Sequence, residues 1–244
     1  MLPRRVEAED LDGLAPEDPR AQRSRRDLRR IHGLMGTRRI ARRELADLVR
    51  VPRERRLRVL DLGCGDATIL LQIAQTMAPA WKDVDVVLLD RQEAVPVIVL
   101  NCLERLGWRA STRRADAREW AAARVESVDD RWDLILANLF LHHFEGEDLA
   151  AILHAVAARC DAFFACEPRR SQVALFASHL VGAIGAGPVT RKDAVLSVRA
   201  GFRDFEIGAL WREREQEWAL REFSAGIFSH CFCARRIIAG ATLA

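Results

Sequence analysis

The chain has 244 residues, with 38 basic and 35 acidic side chains and a formal net charge of only +3. Half of its residues are hydrophobic and 30% are charged, the balance of a globular domain with one sizeable core, which excludes a disordered or multi-spanning membrane chain. The longest apolar stretch, from Val173 to Ile184, is too short and too interrupted to span a bilayer, so no transmembrane segment is expected.

In chain order, residues 1–22 are polar, contain Pro3, Pro16 and Pro19, and read as a mobile lead-in without the apolar stretch of a signal peptide. Residues 24–50 read as two helices with apolar positions at Leu28, Ile31, Leu34, Ile40, Leu45, Leu48 and Val49, broken near Gly33 and Gly36 and ended by Pro52. From Arg20 to Arg56 arginines are many and acids few; Lys82 and Lys192 are the chain's only lysines. Genomic composition accounts for this, as does an arginine-rich face that meets an anionic ligand, a membrane surface or RNA.

From Leu57 onward short apolar runs alternate with helical stretches, the signature of βα units and a mostly parallel sheet. Strands are expected at 58–62, 84–90, just before Asp116, at 132–138 and at 161–167. Between them lie a helix with Ile69, Leu70, Ile73 and Met77 on one face and helices over 93–106, 117–125 and 146–158. Two more, over about 171–184 and 190–200, follow Pro168. The tail runs 205–211 and 227–235 read as two strands with no room for a crossover helix, hence an antiparallel hairpin at the sheet edge. Six cysteines are scattered with no CxxC pair, and Cys231-Phe-Cys233 has no second pair at zinc spacing, so free thiols, a cytoplasmic location and no metal are expected.

The stretch VLDLGCGDATIL, residues 59–70, joins the first strand to its helix through a glycine turn. It has two glycines, Gly63 and Gly65, where a dinucleotide fingerprint has three. Asp61 precedes the turn and Asp66 opens the helix, where acids repel a diphosphate and welcome a ligand carrying positive charge. Asp90 closes the second strand, where a carboxylate accepts ribose hydroxyls, and Asp116 follows the third, where one accepts from an adenine amino group.

With these residues the chain resembles the class I S-adenosylmethionine (SAM)-dependent methyltransferases from Leu57 to Pro168, apart from a somewhat long gap between Gly65 and Asp90. The resemblance implies a Rossmann-like α/β fold, a seven-stranded mostly parallel sheet with helices on both faces and a terminal antiparallel hairpin, preceded by an N-terminal helical extension. It divides the chain into 1–56, an extension or lid, and 57–244, the methyltransferase domain. It implies that Asp61, Gly63 and Gly65 line the methionine part of the cofactor, that Asp90 takes the ribose and Asp116 the adenine, and that Asn138 faces the methionine end, with Cys64, Arg91, Ala117 and Leu139 as further cofactor-binding residues.

The acceptor is sought at Asn-Leu-Phe-Leu-His-His, residues 138–143, which lacks the Asn-Pro-Pro-Tyr type of tetrapeptide of base-amine methylases and resembles the ubiquinone- and menaquinone-biosynthesis methyltransferases. A histidine beside the methyl can take a hydroxyl proton, so His142, slightly ahead of His143, is the expected base, with Glu167 orienting it or accepting the proton itself. Arg169 and Arg170 either pair with an acceptor carboxylate or are solvated beside Ser171 as a helix cap. His230 reads as a core histidine, His154 and His179 read as helical and structural, and His32 reaches the cleft only if the N-terminal helices cover it. The leading expectation is methylation at oxygen or carbon of a small aromatic or polyketide-like molecule under an arginine-rich lid. The alternatives are an RNA methyltransferase docking through the basic helices and a non-catalytic SAM-binding protein. The acceptor atom and a homodimer are left open.

Overall fold

The computed structural model describes residues 2–49, 55–124, 131–211 and 217–237. A seven-stranded sheet runs in the order β3-β2-β1-β4-β5-β7-β6. Its strands are β1 Leu57–Leu62, β2 Val84–Asp90, β3 Trp108–Arg114, β4 Trp132–Asn138, β5 Cys160–Pro168, β6 Trp218–Ala225 and β7 Ser229–Arg236. The first five are parallel; β7 inserts antiparallel between β5 and β6, with Glu167 opposite His230.

The helices are α1 Asp10–Gly13, α2 Pro19–Met35, α3 Thr37–Leu48, α4 Thr68–Met77, α5 Val97–Arg105 and α6 Ala117–Ala122, then α7 Gly146–Arg159, α8 Gln172–His179, α9 Pro188–Ala200 and α10 Glu206–Trp211. Strand β1 is apolar throughout except at Arg58 and Asp61, because both faces of a central parallel strand are covered. Its period of two splits the core: Leu57 and Val59 join the side packed on α3, α4 and α5, while Leu60 and Leu62 join the side packed on α6, α7 and α10. Strand order reverses between β1 and β4, and the carboxyl ends open a crevice there.

Three expectations are corrected. Residues 2–22 are not a mobile lead-in. Arg4 Nε donates to the Ala200 carbonyl at 2.8 Å, Arg5 N–H to that of Arg199 at 3.1 Å, and Asp18 caps α2. The run 205–211 is not a strand but contains α10: Ile207 and Trp211, four apart, turn inward together, and Glu222 accepts the N–H groups of Ile207 and Gly208. The hairpin partner of β7 is therefore β6, whose mixed sequence Trp-Ala-Leu-Arg-Glu-Phe-Ser-Ala, without an apolar run, hides its strand character. The helix expected over 171–184 breaks after His179 into a 3₁₀ turn, Val181–Ile184. Pro52 and Val125, the expected ends of two helices, lie outside the described residues. No helix among the described residues is long and apolar enough to cross a membrane. All six cysteines are free.

Candidate functional site

A cavity of about 670 Å³ opens at the carboxyl ends of β1, β2 and β4. Its wall includes every residue expected to touch the cofactor: Asp61, Gly63, Cys64, Gly65, Asp90, Arg91, Asp116, Ala117, Asn138 and Leu139. His142 and His143 line it too.

The glycine turn is built by close approach. Gly63 sits at φ +74° and Gly65 at +55°, the left-handed region where a side chain is strained. A Cβ on Gly63 would fall inside the Phe140 ring, whereas one on Gly65 would meet no protein atom and project into open space. Gly63 thus seats the β4 loop, and Gly65 leaves room for a ligand. Asp90 ties the turn down: its Oδ2 accepts from Gly65 N–H at 2.9 Å and its Oδ1 from Gln92 N–H at 2.8 Å. Asp116 Oδ1 accepts from Arg118 N–H at 2.7 Å and caps α6. Both carboxylates keep lone pairs for ligand hydroxyl or amino hydrogens. Asp61 is buried, and burial with the nearby Asp90 charge pushes its carboxyl up to about 7.

Asp66 differs from its expected part. Its Oδ2 accepts from Arg29 at 3.0 Å and its Oδ1 from Thr68 N–H at 3.0 Å, so its charge is largely offset. The negative character of the turn comes from Asp61 and Asp90.

After β4 the chain makes a tight corner: Leu139 has φ +50°, and Leu141–His143 form a 3₁₀ turn. Glu167, fully buried at the end of β5, holds this corner. It accepts the N–H groups of Phe140 at 3.1 Å, Leu141 at 3.0 Å and His142 at 3.3 Å, and His142 Nδ1–H at 2.8 Å. It is not among the residues lining the cavity, and its carboxylate is taken up by these four donors.

His142 Nε2 faces Glu9 Oε1 at 3.3 Å. Burial pulls the imidazole pKa down, but the hydrogen bonds to Glu167 and Glu9 outweigh it and hold His142 up at about 9. His142 is therefore a cation with both nitrogens engaged, Nδ1 by Glu167 and Nε2 by Glu9. His143 stacks at 4.2 Å on His142, with Nδ1 3.5 Å from Asp12. Burial, and then the His142 charge, lowers its pKa, so His143 is the neutral imidazole of the pair.

Glu9 has no signal in the sequence. It comes from the segment read as mobile, and burial, which raises its pKa, is overcome by His142, so it stays ionised. Ser197 of α9 donates to the same Oε1. Glu9, His142 and His143 bring one ligating atom each within 4.8 Å of one another, the spacing of a metal cluster, but the shared hydrogen bonds already account for Glu9 and His142.

Other expectations resolve simply. Ser171 caps α8 through Ala174 N–H at 3.1 Å. Arg170 is buried on the carbonyls of Leu2 and Gly201 and on Glu206, and Arg169 bonds the Gly226 carbonyl, so neither reaches the cavity. His230 bonds Glu222 at 2.7 Å inside the core. His32 does reach the cavity wall; burial lowers it to about 4, so it is neutral. Of the basic helices, α2 lines the cavity with Arg25 and Arg29, while α3 packs on α4, β5 and β7 away from it.

Residues 59–161 match a family model described as a methyltransferase domain. No curated protein matches the chain by sequence. Among solved structures the fold is similar to the plantazolicin methyltransferase BpumL in complex with SAH, with a TM-score of 0.60 and 13% identity over 91% of this chain and 92% of that one. A complex of BpumL with a monoazolic desmethylPZN analog and SAH gives 0.62 and 14% over 90% and 91%. Magnesium protoporphyrin IX methyltransferase from Synechocystis PCC 6803 with bound SAM gives 0.52 and 15% over 88% and 84%.

Proposed function

We propose that this chain, an S-adenosylmethionine-dependent methyltransferase whose domain match spans residues 59–161, methylates a small molecule held between the cofactor and the His142–His143 corner. The observation that supports this reading is one cavity in which Asp61, Asp90, Asp116 and the glycine turn meet that histidine pair beneath residues 6–13. A cavity of about 670 Å³ is of small-molecule size, and these segments cover it. The names of the fold relatives, plantazolicin and magnesium protoporphyrin IX methyltransferases, support a small-molecule acceptor as well.

The residues present fit the cofactor. Gly65 leaves the space its backbone approach needs, Asp90 and Asp116 face the ribose and adenine ends, and Asp61, once it gives up its proton, suits its ammonium group. Arg29, anchored by Asp66, offers a cation to its carboxylate. When bound, S-adenosylmethionine supplies an electrophilic methyl group on its sulfonium sulfur. The chain's own residues align the acceptor and manage its proton. His143 takes that proton, because it is neutral and half-buried on the cavity wall; Glu167 and cationic His142 hold it in place. Oxygen and carbon acceptors of aromatic or polyketide-like type both suit this arrangement.

The test is calorimetric titration with SAH and with NAD, followed by incubation with methyl-labelled SAM and a cell extract separated into small-molecule, RNA and protein fractions. SAH binding without NAD binding, label in the small-molecule fraction and loss of that label in His143→Ala are expected. Label confined to RNA, or full labelling by His143→Ala, would overturn the assignment.

A further inference from the structure

The segment that precedes α2 crosses the mouth of the cavity as a strap, fastened at both ends and in the middle. At one end Arg4 donates to the Phe144 carbonyl at 2.8 Å and lies 4.5 Å over the Phe202 ring. In the middle, Asp193 of α9 accepts the N–H groups of Asp10 at 2.9 Å and Leu11 at 3.0 Å. At the other end Arg91 and Gln92, the two residues after Asp90, each donate to the Asp12 carbonyl at 3.0 Å. These fasteners attach backbone or rim. Two strap carboxylates meet the histidine corner: Asp12 lies 3.5 Å from Nδ1 of His143, and Glu9 reaches His142, where its Oε1 accepts from both His142 and Ser197.

We propose that Glu9 is a positioning residue acting through His142. It latches the strap over the cavity and, with Glu167, clamps the Leu141–His143 turn from the opposite side, so that His143 stays aimed at the acceptor and ligands leave only when the latch opens. The two carboxylates are not equivalent. Glu167 is fixed in β5 and holds the turn to the sheet. Glu9 sits on a segment with no strand pairing, so its bond to His142 is the one that can break without unfolding the core. Opening withdraws one partner from Nε2 of His142 and uncovers both the acceptor space and, through Asp12, the ribose end.

This inference rests on the cofactor and His143 reading above, and its test separates the two. SAH dissociation is followed by stopped flow in the wild type, Glu9→Ala and Glu9→Gln, well below their unfolding temperatures. In parallel, diethyl pyrocarbonate, which modifies neutral imidazoles, is mapped by mass spectrometry. Loss of a charge-assisted bond predicts SAH release about tenfold faster in Glu9→Ala. Glu9→Gln, which keeps an accepting oxygen, should stay within about threefold of wild type. His142 should be protected in the wild type and modified in Glu9→Ala. A residue that merely adds stability would lower the unfolding temperature and leave release and modification unchanged. Equal release rates in all three proteins would overturn the latch, as would a Gln variant no better than Ala. Failure of the wild type to bind SAH would instead overturn the cofactor reading.

Discussion

Gly63→Ala and Gly65→Ala, two neighbouring and chemically identical changes, should differ in effect. Both place a Cβ on a residue with positive φ, at a cost of about 1–2 kcal/mol each. At Gly65 that is the whole cost in the ligand-free protein, because the new methyl group meets nothing within 4 Å. At Gly63 the methyl lands in the Phe140 ring. That ring cannot simply swing away: it packs edge-on against Phe144 at 5.1 Å, and its backbone N–H is fixed to Glu167. Displacing a packed ring adds about 1–3 kcal/mol, so Gly63→Ala should lose about 2–5 kcal/mol. Urea unfolding of the ligand-free variants measures this directly. The order should invert for SAH relative to stability: Gly65→Ala, the more stable of the two variants, should weaken SAH binding steeply because its methyl group occupies ligand space. Equal stability losses for the two variants, or unaltered SAH affinity in Gly65→Ala, would refute the division of labour between the two glycines.

Three further expectations follow from the buried charges. Glu167→Gln replaces an acceptor of four hydrogen bonds by a group with a single accepting oxygen, and should cost about 3 kcal/mol in urea unfolding while destabilising the histidine corner. His142 has a folded-state pKa of about 9 against an ordinary 6.5, so its contribution is complete below 6.5 and fades as pH rises through 9. Unfolding free energy should fall by a few kcal/mol over that range, at about 1.4 kcal/mol per pH unit, and His142→Gln should flatten the slope; an equal slope in that variant would count against the clamp. Asp61, pushed up to about 7, must lose its proton to meet a cationic ligand. SAH affinity should therefore rise from pH 6 to 8 with proton release visible by calorimetry in two buffers, and Asp61→Asn should abolish both effects.

The βα alternation, the glycine turn and the strand-end acids were legible from residues 57–168 because they are local. A central parallel strand must be apolar on both faces, a turn against Phe140 must be glycine, and each strand end delivers its acid to the same edge of the sheet. Where local signals were two-sided, the three-dimensional contacts decided. The run 205–211 has apolar residues that suit either period, and its helix is selected by Glu222, which arrives from the hairpin. The adjacent histidines are equal in the sequence; they become a cation and a neutral imidazole because Glu167 and Glu9 converge on one of them and not the other. Glu9 lies 133 residues from His142, in a segment with no periodic pattern, so no spacing rule finds it. The sequence by itself determined the glycine turn and the acids at the strand ends, since backbone shape and strand-end charge are short-range properties. Tertiary structure decided which imidazole is neutral and which segment covers it, since both depend on charges brought together from distant parts of the chain.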